Sequence, residues 1–221
     1  MNNLYLKVKK VWDEIFEDAE AIIPEDKQLG NEDLDDALDW LCDQTESVLD
    51  FGCGNGVMLF SCGHRGTKKH IGIDISTAAI DNANECKKLM KSGEYQFIEG
   101  YHNSLHEVES ESVDSAILSN IIDNMIPEEV MNVLEEISRV LKENGKVLVK
   151  LNPYLTEDQI KEWGIKVIDG NLLDDGLLLW NQTTEEWDEL FLKYFNIEKY
   201  SEIYYEEIET YNRLYLMTKK K

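Results

Sequence analysis

The chain has 221 residues, with 45 acidic side chains against 22 basic ones and a formal net charge of −23. Such a charge repels phosphate backbones and anionic lipid head groups, so a nucleic acid or a membrane surface is disfavoured as a partner. The hydrophobic fraction of 43% is typical of a globular protein, and residues 1–21 contain no apolar run typical of a signal peptide. We therefore expect a cytoplasmic protein with one core domain, and oligomeric state stays open.

The cysteines and the basic runs give no sign of a metal site or an anion site. No CxxC pair is present, which favours reduced thiols over a disulfide framework. The nearest approach to a zinc set is Cys53, Cys62, His64 and His70, but its spacing matches no usual ligand pattern. The short lysine runs at 7–10 and 219–221 are interpreted as solvated ends.

Two amphipathic helices, predicted at 4–20 and 32–42, precede the first strand. We assign residues 1–44 to an amino-terminal helical cap and residues 45–221 to the core domain.

Short buried strands alternate with helices in the first part of this core. Strands are predicted at 47–51, 70–74, 95–99, 112–119 and 146–151. Helices are predicted at 55–62, at 76–92 with Ser76 as N-cap, and from Pro127 through an apolar repeat that includes Leu141. Alternation of this kind implies parallel pairing through right-handed crossovers, hence an α/β fold with a doubly wound, mostly parallel sheet.

The pattern changes after residue 151. A short helix at 156–163 and two β-leaning runs flank the segment GNLLDDG, which has the composition of a hairpin loop. This hairpin insertion, about 152–182, is a candidate lid. A helix at 184–194 follows, and then 195–205 and 212–219 are predicted to pair antiparallel at the sheet edge, which gives seven strands in all.

The segment DFGCGNG, residues 50–56, occupies the turn after the first strand, where a doubly wound sheet binds its ligand. Glycine allows close approach to the backbone, and the next helix offers unpaired N–H groups. The dinucleotide fingerprint GxGxxG requires a third glycine one residue beyond Gly56, which makes a nicotinamide dehydrogenase the second choice. Asp74 ends the next strand, where its carboxylate suits two ribose hydroxyls, although it could instead cap a helix beside Ser76.

Read as DxGxGxG, this turn resembles that of the class I S-adenosylmethionine-dependent methyltransferases, and the motif order agrees over about 45–155. The resemblance implies a Rossmann-like fold and S-adenosylmethionine as the cofactor. It places the turn at the methionine part, Asp74 at the ribose, Ile75 at the adenine and the end of the fourth strand near the methyl group. The residues implied at the cofactor are Asp50, Gly52, Cys53, Gly54, Asp74, Ile75, Tyr101, His102, Ser119 and Asn120.

The chain departs from the family after the third strand, where Tyr101 stands in place of the acid that commonly meets adenine. Tyr101 and His102 could contact the base or lie in a surface loop. Methyl transfer needs a general base only if the acceptor must lose a proton near that step. Asp123 and His102 are the candidate bases, and the alternative role of Asp123 is in a turn before Pro127. The motif NPY at 152–154 is similar to an amine-binding tetrapeptide of nucleic-acid methyltransferases, but it follows the fifth strand and lacks one proline.

The parts available to cover the site are the first helix, with Tyr5, Trp12 and Phe16, and the insertion around Trp180. An aromatic cover with an acidic rim favours a small-molecule acceptor that is neutral or cationic. The same aromatics could simply form helix-face and hairpin core. Two other functions stay open, a non-catalytic or partner-dependent cofactor-binding module and a protein methyltransferase for a basic substrate. A closed aromatic pocket favours the small molecule, whereas a broad acidic groove favours the protein.

Overall fold

The computed structural model describes residues 3–206 and 210–221. The helices are α1 (Asn3–Phe16), α2 (Glu32–Cys42), α3 (Val57–His64), α4 (Thr77–Cys86), α5 (Pro127–Val140), α6 (Glu157–Glu162) and α7 (Thr184–Phe191). The strands are β1 (Ser47–Phe51), β2 (Lys69–Asp74), β3 (Glu94–Glu99), β4 (Val113–Ser119), β5 (Leu141–Leu151), β6 (Lys166–Asp169), β7 (Leu172–Asp174), β8 (Leu178–Trp180), β9 (Phe195–Tyr205) and β10 (Thr210–Lys219). None of the described helices combines the length and the apolar character needed to cross a membrane.

Seven strands form the main sheet in the order β3, β2, β1, β4, β5, β10, β9. The pairs from β3 to β5 are parallel. Every residue of the central strand β1 is buried, as expected for a parallel strand with helices on both faces. The predicted doubly wound α/β fold is therefore confirmed, and it brings the carboxyl ends of β1, β2 and β4 to one edge of the sheet.

The antiparallel edge is also confirmed, because β10 pairs antiparallel with both β5 and β9. Helix α1 ends at Phe16 and not at residue 20, and the boundary between α5 and β5 also differs from the prediction. Leu141, which fits the helical repeat, instead begins β5 with an extended backbone and pairs with Val113. Leu141 is fully buried in the strand. A buried apolar residue fits the last turn of a helix and the first residue of a strand equally well, so the apolar repeat did not distinguish the two.

The bounds of two helices around the predicted site differ from the prediction: α3 lies two residues later than 55–62, and α4 is shorter than 76–92. Helix α3 begins after Gly56, which serves as its N-cap with a φ of +82°. Helix α4 begins after Ser76, whose Oγ accepts a hydrogen bond of 3.0 Å from the backbone N–H of Ala79, as predicted for an N-cap. It ends at Cys86 and continues only as a 3-10 turn, Lys87–Leu89.

The insertion is a small three-stranded antiparallel sheet with the order β6, β7, β8. The segment GNLLDDG is therefore more than a hairpin loop, because its central residues form β7. Gly170 and Gly176 provide the two turns, with φ values of +52° and +86°. Leu173 of β7 is buried against a small apolar cluster of the insertion, and this burial makes a strand of a segment whose composition favoured a loop.

Candidate functional site

A cavity of about 250 Å³ lies between the carboxyl ends of the parallel strands and the helix α1. Most of the described residues that line it are apolar, and among them Asp74 alone carries a carboxylate or a basic group. Of the residues that the sequence implied at the cofactor, those on the lining are Gly52, Cys53, Gly54, Asp74, Ile75, Tyr101, Ser119 and Asn120. Two of the implied residues, Asp50 and His102, are not on the lining.

The glycines of the turn serve two different purposes. Gly54 has a φ of +52° and faces the cavity, where an added Cβ would lie 3.1 Å from Cζ of Phe16 in α1. Gly56 faces the interior instead, and a Cβ there would lie 2.7 Å from Cζ of Phe97 in β3. The third glycine is thus required by the packing of α3 against the sheet, whereas Gly54 brings the backbone of the turn to the cavity lining, close to Phe16.

Asp74 lines the cavity and also holds the backbone on both sides of it. Its Oδ1 accepts a hydrogen bond of 2.8 Å from the backbone N–H of Ser76 before α4, and its Oδ2 accepts one of 2.8 Å from that of Gly54. Burial raises the pKa of Asp74. Because a carboxylate oxygen can accept more than one hydrogen bond, Asp74 can hold the glycine turn and still accept hydrogen bonds from ribose hydroxyls.

Asp50 lies behind the turn, with only 2% of its surface exposed. Its Oδ1 has no hydrogen-bond partner among the described residues. Burial, reinforced by the nearby carboxyl of Asp74, raises the pKa of Asp50 to about 8. A carboxyl group in this condition is energetically unfavourable when ionised, and a cation bound in the adjacent cavity would favour its ionised form.

Tyr101 and His102 are neighbours in the segment after β3, but their side chains lie in different places. The ring of Tyr101 lines the cavity, with its centroid 4.4 Å from that of Tyr5, and its hydroxyl donates to Glu129. His102 lies away from the cavity, with Nε2 3.7 Å from Oε1 of the same Glu129. Burial raises the pKa of Glu129 to about 7 and lowers that of His102. The proposed adenine contact of His102 therefore has no support in its position.

Asp123 lies beneath the lining rather than on it. Its Oδ2 accepts hydrogen bonds from the backbone N–H and the Nδ2 of Asn152, at 2.6 and 2.8 Å. Oδ1 of Asn152 in turn accepts one of 2.9 Å from Nδ2 of Asn120, which lines the cavity with a φ of +51°. Asp123 and the asparagine of the NPY motif thus fix the orientation of Asn120. Neither Asp123 nor His102, the two candidate bases, lies on the cavity lining.

Two parts of the chain were predicted to cover the site, α1 and the insertion. Among the described residues, α1 covers it and the insertion does not. Tyr5, Val8, Trp12 and Phe16 lie on the lining at helical spacing. Of the described residues that line the cavity, none comes from 152–182.

Trp180 packs edge-on against Trp187, with ring centroids 5.1 Å apart, so it belongs to the core beside α7. An ion pair joins the insertion to the cover, with Nζ of Lys7 3.2 Å from Oδ2 of Asp174.

A lysine that the sequence indicated as solvated holds α1 in place. Nζ of Lys9 donates to the carbonyl of Ile75 at 2.9 Å, to Oγ1 of Thr77 at 2.6 Å and to Oε1 of Glu99 at 3.1 Å. One turn later, Oδ1 of Asp13 accepts a hydrogen bond of 2.8 Å from Oγ of Ser76. These contacts join the cover to the ends of β2 and β3. The only signal in the sequence was the i,i+4 spacing of Lys9 and Asp13 on the polar face of the helix.

The fold and this site define a class I S-adenosylmethionine-dependent methyltransferase. A family model described as a methyltransferase domain matches residues 43–193, and the chain belongs to that family. The resemblance found in the glycine turn is confirmed, and S-adenosylmethionine is the cofactor.

Solved structures show the same fold over most of the chain. The 1,6-didemethyltoxoflavin-N1-methyltransferase of Burkholderia thailandensis, solved with S-adenosylhomocysteine, is similar with a TM-score of 0.69 and 13% identity, over 100% of this chain and 92% of that one. An S-adenosylmethionine-dependent methyltransferase of Methanosarcina mazei is similar with a TM-score of 0.65 and 19% identity, over 78% of this chain and 92% of that one.

A curated relative by sequence is the ribosomal protein L11 methyltransferase of Clostridium botulinum, 24% identical over 109 residues. The match covers 49% of this chain and 32% of that protein, so it spans about a third of the relative's length.

Proposed function

We propose that the protein transfers the methyl group of S-adenosylmethionine to a small acceptor that is neutral or cationic. The observation that carries this proposal is the enclosure of the cavity by α1, with aromatic and aliphatic side chains on its inner face. A pocket of this kind suits a small ligand, which it can surround, better than an extended polypeptide. The lack of any lysine or arginine among the described lining residues disfavours an anionic acceptor.

The residues present fit the cofactor. Gly54 leaves room above the turn, Asp74 offers acceptor oxygens to the ribose, and the unpartnered carboxyl of Asp50 suits an ammonium group in the adjacent space. When bound, the cofactor supplies a methyl group on a positively charged sulfur, and the protein has to orient the acceptor and exclude water.

The cover and the end of β4 supply these two functions in the proposal. Trp12 and Phe16 of α1 close the cavity on the solvent side. Asn120 lies at the end of β4 with its amide held by Asn152, which gives the acceptor a fixed polar partner.

A protein acceptor is the second candidate, because the relative from Clostridium botulinum is named for ribosomal protein L11 and a charge of −23 attracts a basic partner. The closed cavity is the observation against it, since a protein side chain would have to pass the cover. A non-catalytic or partner-dependent role requires that the bound cofactor have no access to an acceptor.

One experiment distinguishes these three functions. The purified protein is incubated with methyl-labelled S-adenosylmethionine and with either the low-molecular-mass fraction or the protein fraction of a cell extract. We expect label in the small-molecule fraction and none when the Gly54→Val variant replaces the wild type. Label in the protein fraction instead would favour the second candidate. Absence of label in both, with S-adenosylhomocysteine still bound, would favour the non-catalytic role.

A further inference from the structure

Tyr5 carries a hydroxyl group that the protein itself leaves without a partner. The side chain belongs to α1 and lines the cavity, and only 4% of the residue's surface is exposed. Its Oη is buried and has no hydrogen-bond partner among the described residues. Buried polar groups in folded proteins are nearly always hydrogen-bonded, because leaving one unpaired is unfavourable. A bound ligand is therefore the natural partner of this hydroxyl.

The position of Tyr5 identifies which part of the cavity it serves. Its ring lies edge-on to that of Tyr101, which follows β3, and one helical turn later Lys9 is bonded to the carbonyl of Ile75 and to Glu99. These contacts lie at the ends of β2 and β3, which are neighbours at one side of the sheet. Strand β4 lies on the far side of β1. Tyr5 thus covers the nucleoside half of the cavity rather than the half beside β4.

Two other side-chain groups at this end already have partners. Glu99 is paired with Lys9, at 3.1 Å, and the hydroxyl of Tyr101 donates to Glu129. The acid that commonly meets adenine in this family is replaced here by Tyr101. Among these side chains in the described chain, the hydroxyl of Tyr5 is the group still available to a base.

We propose that the hydroxyl of Tyr5 forms a hydrogen bond with the adenine base of the bound cofactor, so that α1 itself recognises the nucleoside. This assignment rests on cofactor binding in the cavity beneath α1, as in the proposed function. It makes the cover part of the cofactor site, and it gives the chain a base contact in place of the missing acid.

The test compares Tyr5→Phe with the wild type by calorimetric titration of S-adenosylhomocysteine and of 5′-methylthioadenosine, which has the base and ribose but lacks the amino-acid half. Loss of one hydrogen bond predicts a roughly 3- to 10-fold weaker affinity for both ligands. The thermal midpoint of the ligand-free variant should be no lower than that of the wild type, because the lost hydroxyl had no partner.

Tyr95→Phe is the matched control, since the hydroxyl of Tyr95 is also buried without a partner but lies outside the cavity lining. Its affinity for both ligands should equal that of the wild type. Unchanged binding of S-adenosylhomocysteine by Tyr5→Phe would overturn the assignment. A loss seen with S-adenosylhomocysteine but absent with 5′-methylthioadenosine would overturn it too, by placing the contact at the amino-acid half. Failure of the wild type to bind either ligand would instead remove the cofactor site of the proposed function, and this contact with it.

Discussion

Replacing Asp50 with asparagine should make the ligand-free protein more stable near pH 8 and a weaker binder of S-adenosylmethionine. The carboxyl of Asp50 is buried, lacks a partner at Oδ1 and has a pKa raised to about 8. The folded state therefore opposes its ionisation, whereas the unfolded chain does not. Asparagine keeps the shape of the side chain and removes the charge that folding would bury.

The magnitude follows from the two pKa values. The stabilising effect of a protonated Asp50 is complete below the ordinary pKa of 3.8 and is lost as the pH rises through about 8. At about 1.4 kcal/mol for each pKa unit, the full difference sets an upper limit of roughly 6 kcal/mol. The amide of asparagine at this position would itself lack partners, which costs about 1 to 3 kcal/mol. We therefore expect a net gain at pH 8 of at most about 3 to 5 kcal/mol.

Urea unfolding of the ligand-free wild type and of Asp50→Asn at pH 5 and pH 8 measures this difference directly. The advantage of the variant should increase between the two pH values. Other buried carboxyls, such as that of Glu129, are present in both proteins and cancel in the comparison. Calorimetry at pH 8 should show weaker binding of S-adenosylmethionine by the variant, because an ammonium group prefers a carboxylate to an amide. A variant that is no more stable than the wild type at pH 8, or whose advantage does not change with pH, would refute this account of Asp50.

Three further substitutions test the turn, the ribose contact and the cover. Gly54→Val should abolish binding of S-adenosylhomocysteine without unfolding the chain. A β-branched residue is strained at a φ of +52°, and its side chain would meet Phe16. Binding that is retained in calorimetry would show that the ligand lies elsewhere. Asp74→Ala should weaken binding by at least ~1 to 3 kcal/mol, and Asp74→Asn, which keeps one acceptor oxygen, should lose less. Equal affinity in all three proteins would remove Asp74 from the ribose site. Lys9→Met should speed hydrogen exchange in α1, because three hydrogen bonds from the ammonium group of Lys9, including the one to Glu99, hold this helix over the cavity. Unchanged exchange would show that apolar packing alone holds the helix.

The sheet could be predicted because each of its strands carries its own local signal. The strand at 47–51 and the helix after Ser76 are defined by short apolar runs and by an N-cap, and neither depends on distant residues. The predictions for Leu141 and for the segment that forms β7 were wrong for the opposite reason. Pairing with Val113 decides the first, and burial in the small cluster of the insertion decides the second; both depend on contacts with other segments and not on local composition.

The floor of the site could be predicted for the same reason, and its surroundings could not. Gly54 and Asp74 lie where a strand ends, so the position of the strand fixes theirs. The roles of Asp50 and Gly56 depend on depth, since one lies behind the turn and the other faces Phe97. Spacing along the chain gives no information about depth.

The docking of α1 has a consequence for how the site works. Its apolar face supplies Tyr5 and Trp12 to the cavity, and its polar face supplies Lys9, which donates to the carbonyl of Ile75, the residue after Asp74. A helix attached to the nucleoside end in this way moves together with the walls of the cofactor site. Binding of the cofactor should therefore stabilise α1 in its position over the cavity. In that position α1 excludes water from the place where the methyl group is transferred. The acceptor then enters a cavity whose cover the cofactor has already ordered, which favours binding of the cofactor before the acceptor.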